Sequence, residues 1–260
     1  MPWNSDKYNE FKVERYKPFF DLVSHLKDKP KMEVLDQGCG TGELTKYLAD
    51  RLSNATILGI DNSAEMLAKA PTQANVQFKE ISIEEQLKDD RSWDLIFANA
   101  SLQWIDAHEE LFKQIISRLK AGGQLAIQMP SQGENILNKI LFKLVQEEPY
   151  STALNYWKRA SPLLSIDEYA KLLFDLGGQD LVIYQKMYPV IANSTDDLFE
   201  FISGSALVPY FERMAEPVKQ QFSTAFKREY RFIFQKFQLF MRLKGSSFMR
   251  FSSMRLENKT

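Results

Sequence analysis

Val34-Leu35-Asp36-Gln37-Gly38-Cys39-Gly40-Thr41-Gly42-Glu43-Leu44-Thr45 is the stretch on which the fold turns. A short apolar run ends at an acid, glycines follow at every second position, and a helix-favouring segment begins. This order predicts a buried parallel strand, a tight turn and a helix N-terminus. Glycines let such a turn take backbone angles that other residues resist, and they let a ligand approach the main chain. The free N–H groups and positive end of the following helix favour an anionic group. A turn of this kind also serves as a plain strand–helix connection, so the rest of the chain has to decide whether it holds a cofactor.

The spacing is G-x-G-x-G, not the G-x-G-x-x-G of dinucleotide-binding turns. Preceded by Leu35-Asp36, it resembles motif I of the class I methyltransferases. That resemblance implies S-adenosylmethionine (SAM) as cofactor and S-adenosylhomocysteine as product, held around Asp36, Gly38, Cys39, Gly40 and Gly42. Ala55 to Asp61 reads as a second strand ending in an acid, and Asp61 lies 19 positions after Gly42. An acid so placed can accept both ribose hydroxyls of an adenosine, because a carboxylate is acceptor-only and binds two hydroxyls at once. The plainer alternative for Asp61 is an exposed helix cap. Asn62 follows beside the adenosine, and Ser63 suits the N-cap of the next helix. Met66 packs either on the adenine or in the core.

A third strand is expected over Val76 to Ile81, with Ser82-Ile83-Glu84 in the turn after it. Enzymes that this chain resembles commonly carry Asp where Ser82 stands, accepting from the adenine amino group; a serine accepts more weakly. Ile83 offers a backbone N–H and an apolar wall. Ser92 to Ala100 reads as a fourth, almost wholly apolar strand, as a strand covered on both faces should be. It delivers Asn99 and Ala100, then Gln103 and Trp104, to the sheet edge where open α/β folds bind ligands. A helix from Glu109 to Leu119 follows, and Gly122-Gly123 turns the chain into a fifth strand, Gln124 to Pro130.

Phe97-Ala98-Asn99-Ala100-Ser101-Leu102-Gln103-Trp104, together with Gly122-Gly123-Gln124-Leu125-Ala126-Ile127-Gln128-Met129-Pro130, resembles the trans-aconitate methyltransferase family. Arg15, Pro18 and Asp21-Leu22 upstream, and Gly59-Ile60-Asp61, Ser63 and Met66-Leu67, extend the likeness. It covers the first half of the chain well and thins through Phe199 to Phe211. What the resemblance implies is methyl transfer from SAM to a carboxylate of a small organic acid. Gln103 and Trp104 would then align the substrate, and no general base is needed, since a carboxylic acid is already ionised at neutral pH.

The departures from the family fall where substrate is chosen. Val208 stands in a segment where relatives tend to have Arg, Ser131 to Asn135 lacks the usual Pro-Ser-His, and Phe248 to Thr260 matches poorly. Candidate anchors for a polyanionic acid are Arg15, Arg159, Arg213, Arg228, Arg231 and Arg242, because guanidinium binds carboxylate with paired hydrogen bonds. Each alone also reads as a surface charge. Trp3 and Tyr8 read either as part of a helical cover or as a lid over substrate, and Tyr210 as a substrate contact. The cap is rich in Phe and Tyr, which at helical spacing build a core; lining a pocket instead, they would select a larger apolar or thioester-linked acid. A third possibility is a non-catalytic SAM-binding partner protein. The glycine spacing is wrong for a dehydrogenase.

The whole chain bounds these readings. Its 260 residues, 44% apolar, carry a net charge of −1, which points to neither nucleic acid nor an anionic membrane. A single cysteine excludes an intrachain disulfide, and two distant histidines, His25 and His108, point away from a metal site. There is no apolar run of membrane-spanning length and no recognisable leader, so a cytoplasmic monomer acting on a small molecule is expected. The expected fold is α/β: a seven-stranded, mostly parallel, doubly wound sheet with a helical cap. Residues 1–30 would form an N-terminal helical cover, 31–131 the SAM-binding Rossmann-like core, and 132–260 the remaining strands and cap insertions. The sixth strand is expected at Leu181 to Val190 and the seventh at Ser247 to Leu256. Helices are expected at Asn135 to Gln146, Tyr150 to Arg159, Ile166 to Phe174, Asp196 to Ile202 and Pro217 to Phe240.

Overall fold

The computed structural model describes residues 12–131, 133, 135–159, 161–191, 194–204, 206–241 and 246–258. Trp3 and Tyr8 lie outside the described residues, and so does the side chain of Arg15. The strands are β1 (Glu33–Gln37), β2 (Thr56–Asp61), β3 (Val76–Glu80), β4 (Trp93–Asn99), β5 (Leu119–Ser131), β6 (Gly178–Ile191) and β7 (Ser246–Asn258). The first five form a parallel sheet in the order β3-β2-β1-β4-β5, the reversal of direction lying between β1 and β4. Ligands bind open α/β sheets at such a switch point, outside the carboxyl ends of the strands.

Both faces of the sheet are covered, which is why β4 is apolar nearly throughout. On one face Leu35, Ile96, Leu125 and Ile127 pack with Leu111, Phe112 and Ile115 of helix His108–Ser117 and with Tyr169 and Leu173 of helix Ile166–Asp175. On the other, Val34, Ile57, Leu95, Phe97 and Ala126 meet Leu48 and Ala49 of helix Glu43–Arg51 and Phe19, Leu22 and Val23 of helix Lys12–Ser24. Phe19 stands edge-on to Phe97, with ring centres 5.6 Å apart. The N-terminal helix is therefore built into the sheet's core, and Pro18 lies within it without a break.

Two compact units emerge. Among the described residues, one comprises 18–130, 162–186 and 251–258; the other comprises 12–17, those of 131–161, those of 187–241 and 246–250. Phe19, Leu22, Val23 and Leu26 of the N-terminal segment pack within the first unit. The second unit clusters Leu137, Leu141, Leu144, Phe201, Tyr210, Phe222, Phe226 and Tyr230. Its helices include Ile136–Leu144, Thr195–Ser203 and Glu216–Met241, close to expectation.

Two local expectations are corrected. The helix after β4 ends at Ser117, and β5 starts at Leu119; Gly122 and Gly123 lie inside the strand. There β5 bulges: Trp93 pairs with Leu119 but Leu95 with Gln124, and Gly122 takes φ +67°. A bulge uses a glycine's freedom as readily as a turn does, and sequence pattern does not separate the two. The helix expected over Tyr150 to Arg159 is a single turn, Tyr150–Ala153, followed by Asn155 and Tyr156 in left-handed conformation at φ 51° and 56°. Among the described residues no helix is long and apolar enough to cross a membrane, and no His/Cys/Asp/Glu cluster is arranged to hold a metal ion.

Candidate functional site

At the carboxyl end of β1 all three glycines of the turn adopt positive φ: 72° at Gly38, 57° at Gly40 and 68° at Gly42. A side chain in that region is strained, so each is required by backbone geometry. Space requires only two of them. A Cβ on Gly38 would collide with Cβ of Ser101, and one on Gly42 would lie 2.5 Å from the Phe78 ring. A Cβ on Gly40 would have no atom within 4 Å. The turn is thus packed at its ends and open at its middle, where a ligand can reach the main chain.

Main-chain bonds tie this turn to β2. The N–H groups of Gly38 and Cys39 donate to the Ile60 carbonyl at 2.8 and 2.9 Å. Asp61 completes the clamp: Oδ2 accepts from Gly40 N–H and Oδ1 from Ser63 N–H, both at 2.9 Å. Asp61 is thus a scaffold element as well as the expected ribose acceptor. Each carboxylate oxygen has a second lone pair, so ribose hydroxyls can still donate to it. Asn62 is exposed next to it, and Met66 is half-buried on the short helix Ala64–Leu67, capped by Ser63.

Asp36 is buried within β1, and Thr45 Oγ1 of the following helix donates to its Oδ2 at 2.6 Å. Burial pushes its carboxyl up to about 6; the Thr45 hydroxyl opposes the rise and the nearby Asp61 charge adds to it. The Cys39 thiol is held well above its ordinary value, first by burial and then by the charges of Asp36 and Asp61, so it is no nucleophile. Ser82 caps the helix Ile83–Gln86, its Oγ accepting from Glu85 N–H at 3.1 Å. Its hydroxyl can still donate, while Ile83 is buried at the first helical position behind it.

The carboxyl end of β4 is the third wall. Asn99 pairs in register with Gln128 of β5, and paired residues of a parallel ladder project to the same side. Asn99 Oδ1 and Gln128 Nε2 are both buried without a hydrogen-bond partner. An unmet buried donor or acceptor costs about 1–3 kcal/mol, so such a pair suits a ligand that supplies the partners. Ala100 takes φ 53°, uncommon for a residue with a side chain, and the chain enters the 3₁₀ turn Leu102–Trp104. Gln103 is buried there, its Nε2 donating to Ala100 O at 2.7 Å, while Trp104 is 46% exposed.

The expected cofactor residues therefore converge: Asp36 to Gly42, Asp61 to Met66, Ser82-Ile83 and Asn99-Ala100 all sit at strand carboxyl ends of one unit. Of the expected substrate residues, only Tyr210 has a described side chain. Tyr210, in the other unit, is 1% exposed; its hydroxyl accepts from Arg159 N–H at 3.3 Å and its ring stands edge-on to Trp157. Arg213 is engaged over the Trp157 ring and donates to Pro209 O at 2.8 Å. Thr45, Ser101 and Gln128 also shape these strand ends and are not among the expected site residues. Thr45 alone left a sequence signal, a hydroxyl one turn into the helix after the glycines. The roles of the others depend on contacts far apart in the chain.

The chain resembles known proteins along most of its length. A family model described as a methyltransferase domain matches residues 28–186. The trans-aconitate 2-methyltransferase of Deinococcus radiodurans is 39% identical over 222 residues, covering 82% of this chain and 84% of that one. That of Mycobacterium tuberculosis (strain H37Ra) is 32% identical over 228 residues, covering 85% and 84%. Among solved structures, YcgJ of Bacillus subtilis matches with TM-score 0.58 at 13% identity, covering 94% of this chain and 99% of its own. Haemonchus contortus phosphoethanolamine N-methyltransferase 2, in complex with phosphomonomethylethanolamine and S-adenosylhomocysteine, matches with TM-score 0.57 at 16% identity, covering 94% and 52%. These two structures share the fold.

Proposed function

The chain belongs to the trans-aconitate 2-methyltransferase family of class I SAM-dependent methyltransferases, and on that premise we propose that it esterifies a carboxylate of a small, trans-aconitate-like organic acid. The observation that carries the cofactor half is the glycine turn: clamped by Asp61, packed at Gly38 and Gly42, and open at Gly40. The acceptor half is supported by the relatives, whose names state that chemistry, at up to 39% identity over most of the chain.

The residues present fit SAM. Gly38 to Gly42 and Asp36 would hold its methionyl end, Asp61 and Asn62 its ribose, and Met66, Ser82 and Ile83 its adenine. Asn99 Oδ1 lacks a donor that an ammonium group would supply. When bound, SAM supplies an electrophilic methyl on a positively charged sulfur. The protein's part is alignment and exclusion of water, because an ionised acid needs no base and well-aligned reactants gain much of the barrier from position alone. Gln103 and Trp104 are assigned that alignment. The strand order β3-β2-β1-β4-β5-β7-β6 supports reading the sheet as seven-stranded. The near-neutral charge supports the absence of a nucleic-acid partner, and the single cysteine supports a cytoplasmic location.

The deciding experiment is methyl transfer from methyl-labelled SAM to a panel of acids. Labelled, base-labile ester from trans-aconitate or another small di- or tricarboxylate is the expected result. Ester only from medium-chain fatty acids or a malonyl thioester would replace it with an apolar pocket. No ester from any acid, with SAM bound, would reject the carboxylate reading.

Two variants extend the test. Trp104→Ala should lower kcat for the acid by about tenfold more than it weakens SAM affinity, since a positioning contact acts at the reacting centre; equal losses would make Trp104 a cofactor wall. Asp36 should make SAM binding pH-dependent. Its carboxyl titrates at about 6 in the fold, above its value in the unfolded chain. The folded state thus holds the proton longer, and the free protein loses stability as pH rises through that window. A cationic ligand prefers the carboxylate, so its affinity should run the other way, falling about tenfold from pH 7 to pH 5. Calorimetry across that range checks it, and Asp36→Asn should flatten the dependence.

A further inference from the structure

His108 lies in the first turn of helix His108–Ser117 and is 2% exposed. Its two ring nitrogens have different partners. Nε2 lies 3.0 Å from the carbonyl oxygen of Leu102, and Nδ1 contacts the hydroxyl of Tyr169. A carbonyl only accepts, so Nε2 carries the hydrogen; Nδ1 is then bare and accepts from the Tyr169 hydroxyl. The network therefore runs in one direction, from Tyr169 O–H through the neutral imidazole to Leu102 O. Burial favours that neutral ring.

The far end of this relay is the residue that opens the Leu102–Trp104 turn. Leu102 O also accepts from Ile105 N–H at 3.0 Å, and Trp104 N–H donates to Ser101 O at 3.2 Å. Ser101 in turn donates to the Gln37 carbonyl at 2.6 Å, behind the glycine turn. The near end, Tyr169, is 1% exposed on helix Ile166–Asp175 and packs on Phe112, with ring centres 5.2 Å apart. A short 3₁₀ turn holds few bonds of its own, and here it follows Ala100 in left-handed conformation. Such a segment keeps one geometry only if something outside it does the holding.

We propose that Tyr169 and His108 are positioning residues that lock the Leu102–Trp104 turn through the Leu102 carbonyl, and so set where Gln103 and Trp104 meet the acceptor. The proposal deepens the methyl-transfer reading and rests on it only for the kinetic part. Neither residue touches the ligand; they act through the turn. His108 follows Ala107, which has φ 54° and caps the helix without a side-chain bond, so the imidazole also ties this helix start to the turn.

The test uses the full chain with His108→Phe, His108→Gln and Tyr169→Phe. Phe keeps the ring volume but can neither donate nor accept; Gln retains an N–H for Leu102; Tyr169→Phe removes only the hydroxyl. Amide hydrogen exchange is measured over residues 101–106 and over the rest of the chain, with SAM affinity by calorimetry and kcat for the acid. In His108→Phe, exchange should quicken about tenfold at 101–106 alone and kcat should fall about tenfold, with SAM affinity within about twofold. His108→Gln should restore part of both. Unchanged exchange at 101–106 would overturn the proposal, and so would exchange that quickens evenly along the chain, since that is what a core packing role gives. If the wild type methylates no acid, the exchange result still decides the lock, and only the methyl-transfer reading fails.

Discussion

Asp61→Ala is expected to weaken SAM binding by about a hundredfold or more and to lower thermal stability at the same time. Two terms add. Asp61 accepts the Gly40 and Ser63 N–H groups at 2.9 Å each, and hydrogen bonds to a charged group are worth about 1.5–3 kcal/mol. Without them the open middle of the turn has no side-chain anchor to β2. The second term is the ribose contact itself, which a methyl side chain cannot make. Calorimetric titration of SAM and a thermal melt of the free protein separate the two. Lost affinity with an unchanged melting temperature would mean that Asp61 acts on ligand alone. A lower melting temperature with unchanged affinity would remove it from the cofactor site.

Gly38→Ala and Gly40→Ala should split in opposite ways, although both positions have positive φ. At Gly38 the strain of about 1–2 kcal/mol for a left-handed alanine combines with a collision against Ser101. Overpacking of this kind costs typically about 1–3 kcal/mol. Ser101 cannot yield freely, because its hydroxyl is tied to the Gln37 carbonyl at 2.6 Å. The variant should therefore lose several kcal/mol of stability, read from denaturant unfolding. At Gly40 the new methyl meets no atom within 4 Å. There the stability loss should stay near the backbone strain alone, about 1–2 kcal/mol, while SAM affinity falls at least tenfold because the methyl occupies the ligand's approach. Equal affinity losses in proportion to stability would show that the turn has no open side.

Much of this was legible in the chain. The alternation of apolar run, acid and glycines placed β1, its turn and its helix to within a residue or two, because those elements depend on local backbone preference and strand burial. Asp61 was legible for the same reason, an acid at the tip of the next parallel strand. The Gly122-Gly123 pair was misread as a turn, because a bulge and a turn ask the same freedom of glycine. The single turn at Tyr150–Ala153 was read as a full helix, because nothing local announces the left-handed Asn155 and Tyr156.

From the sequence alone come the α/β fold class and the residues at each strand tip, since these rest on spacing along a stretch of chain; the cofactor class comes with the family resemblance that those residues carry. Only the tertiary structure decided which glycine is open to a ligand, that Asp61 clamps the turn it was expected to serve, and that Tyr210 is buried with its hydroxyl engaged. It also joined His108 to Leu102 and Tyr169, and left Asn99 Oδ1 and Gln128 Nε2, on paired residues of β4 and β5, buried without partners. Apart from the bond between His108 and Leu102, six residues apart, each of these depends on contacts between segments tens of residues apart, or on the space left between them, and neither quantity is carried by local pattern.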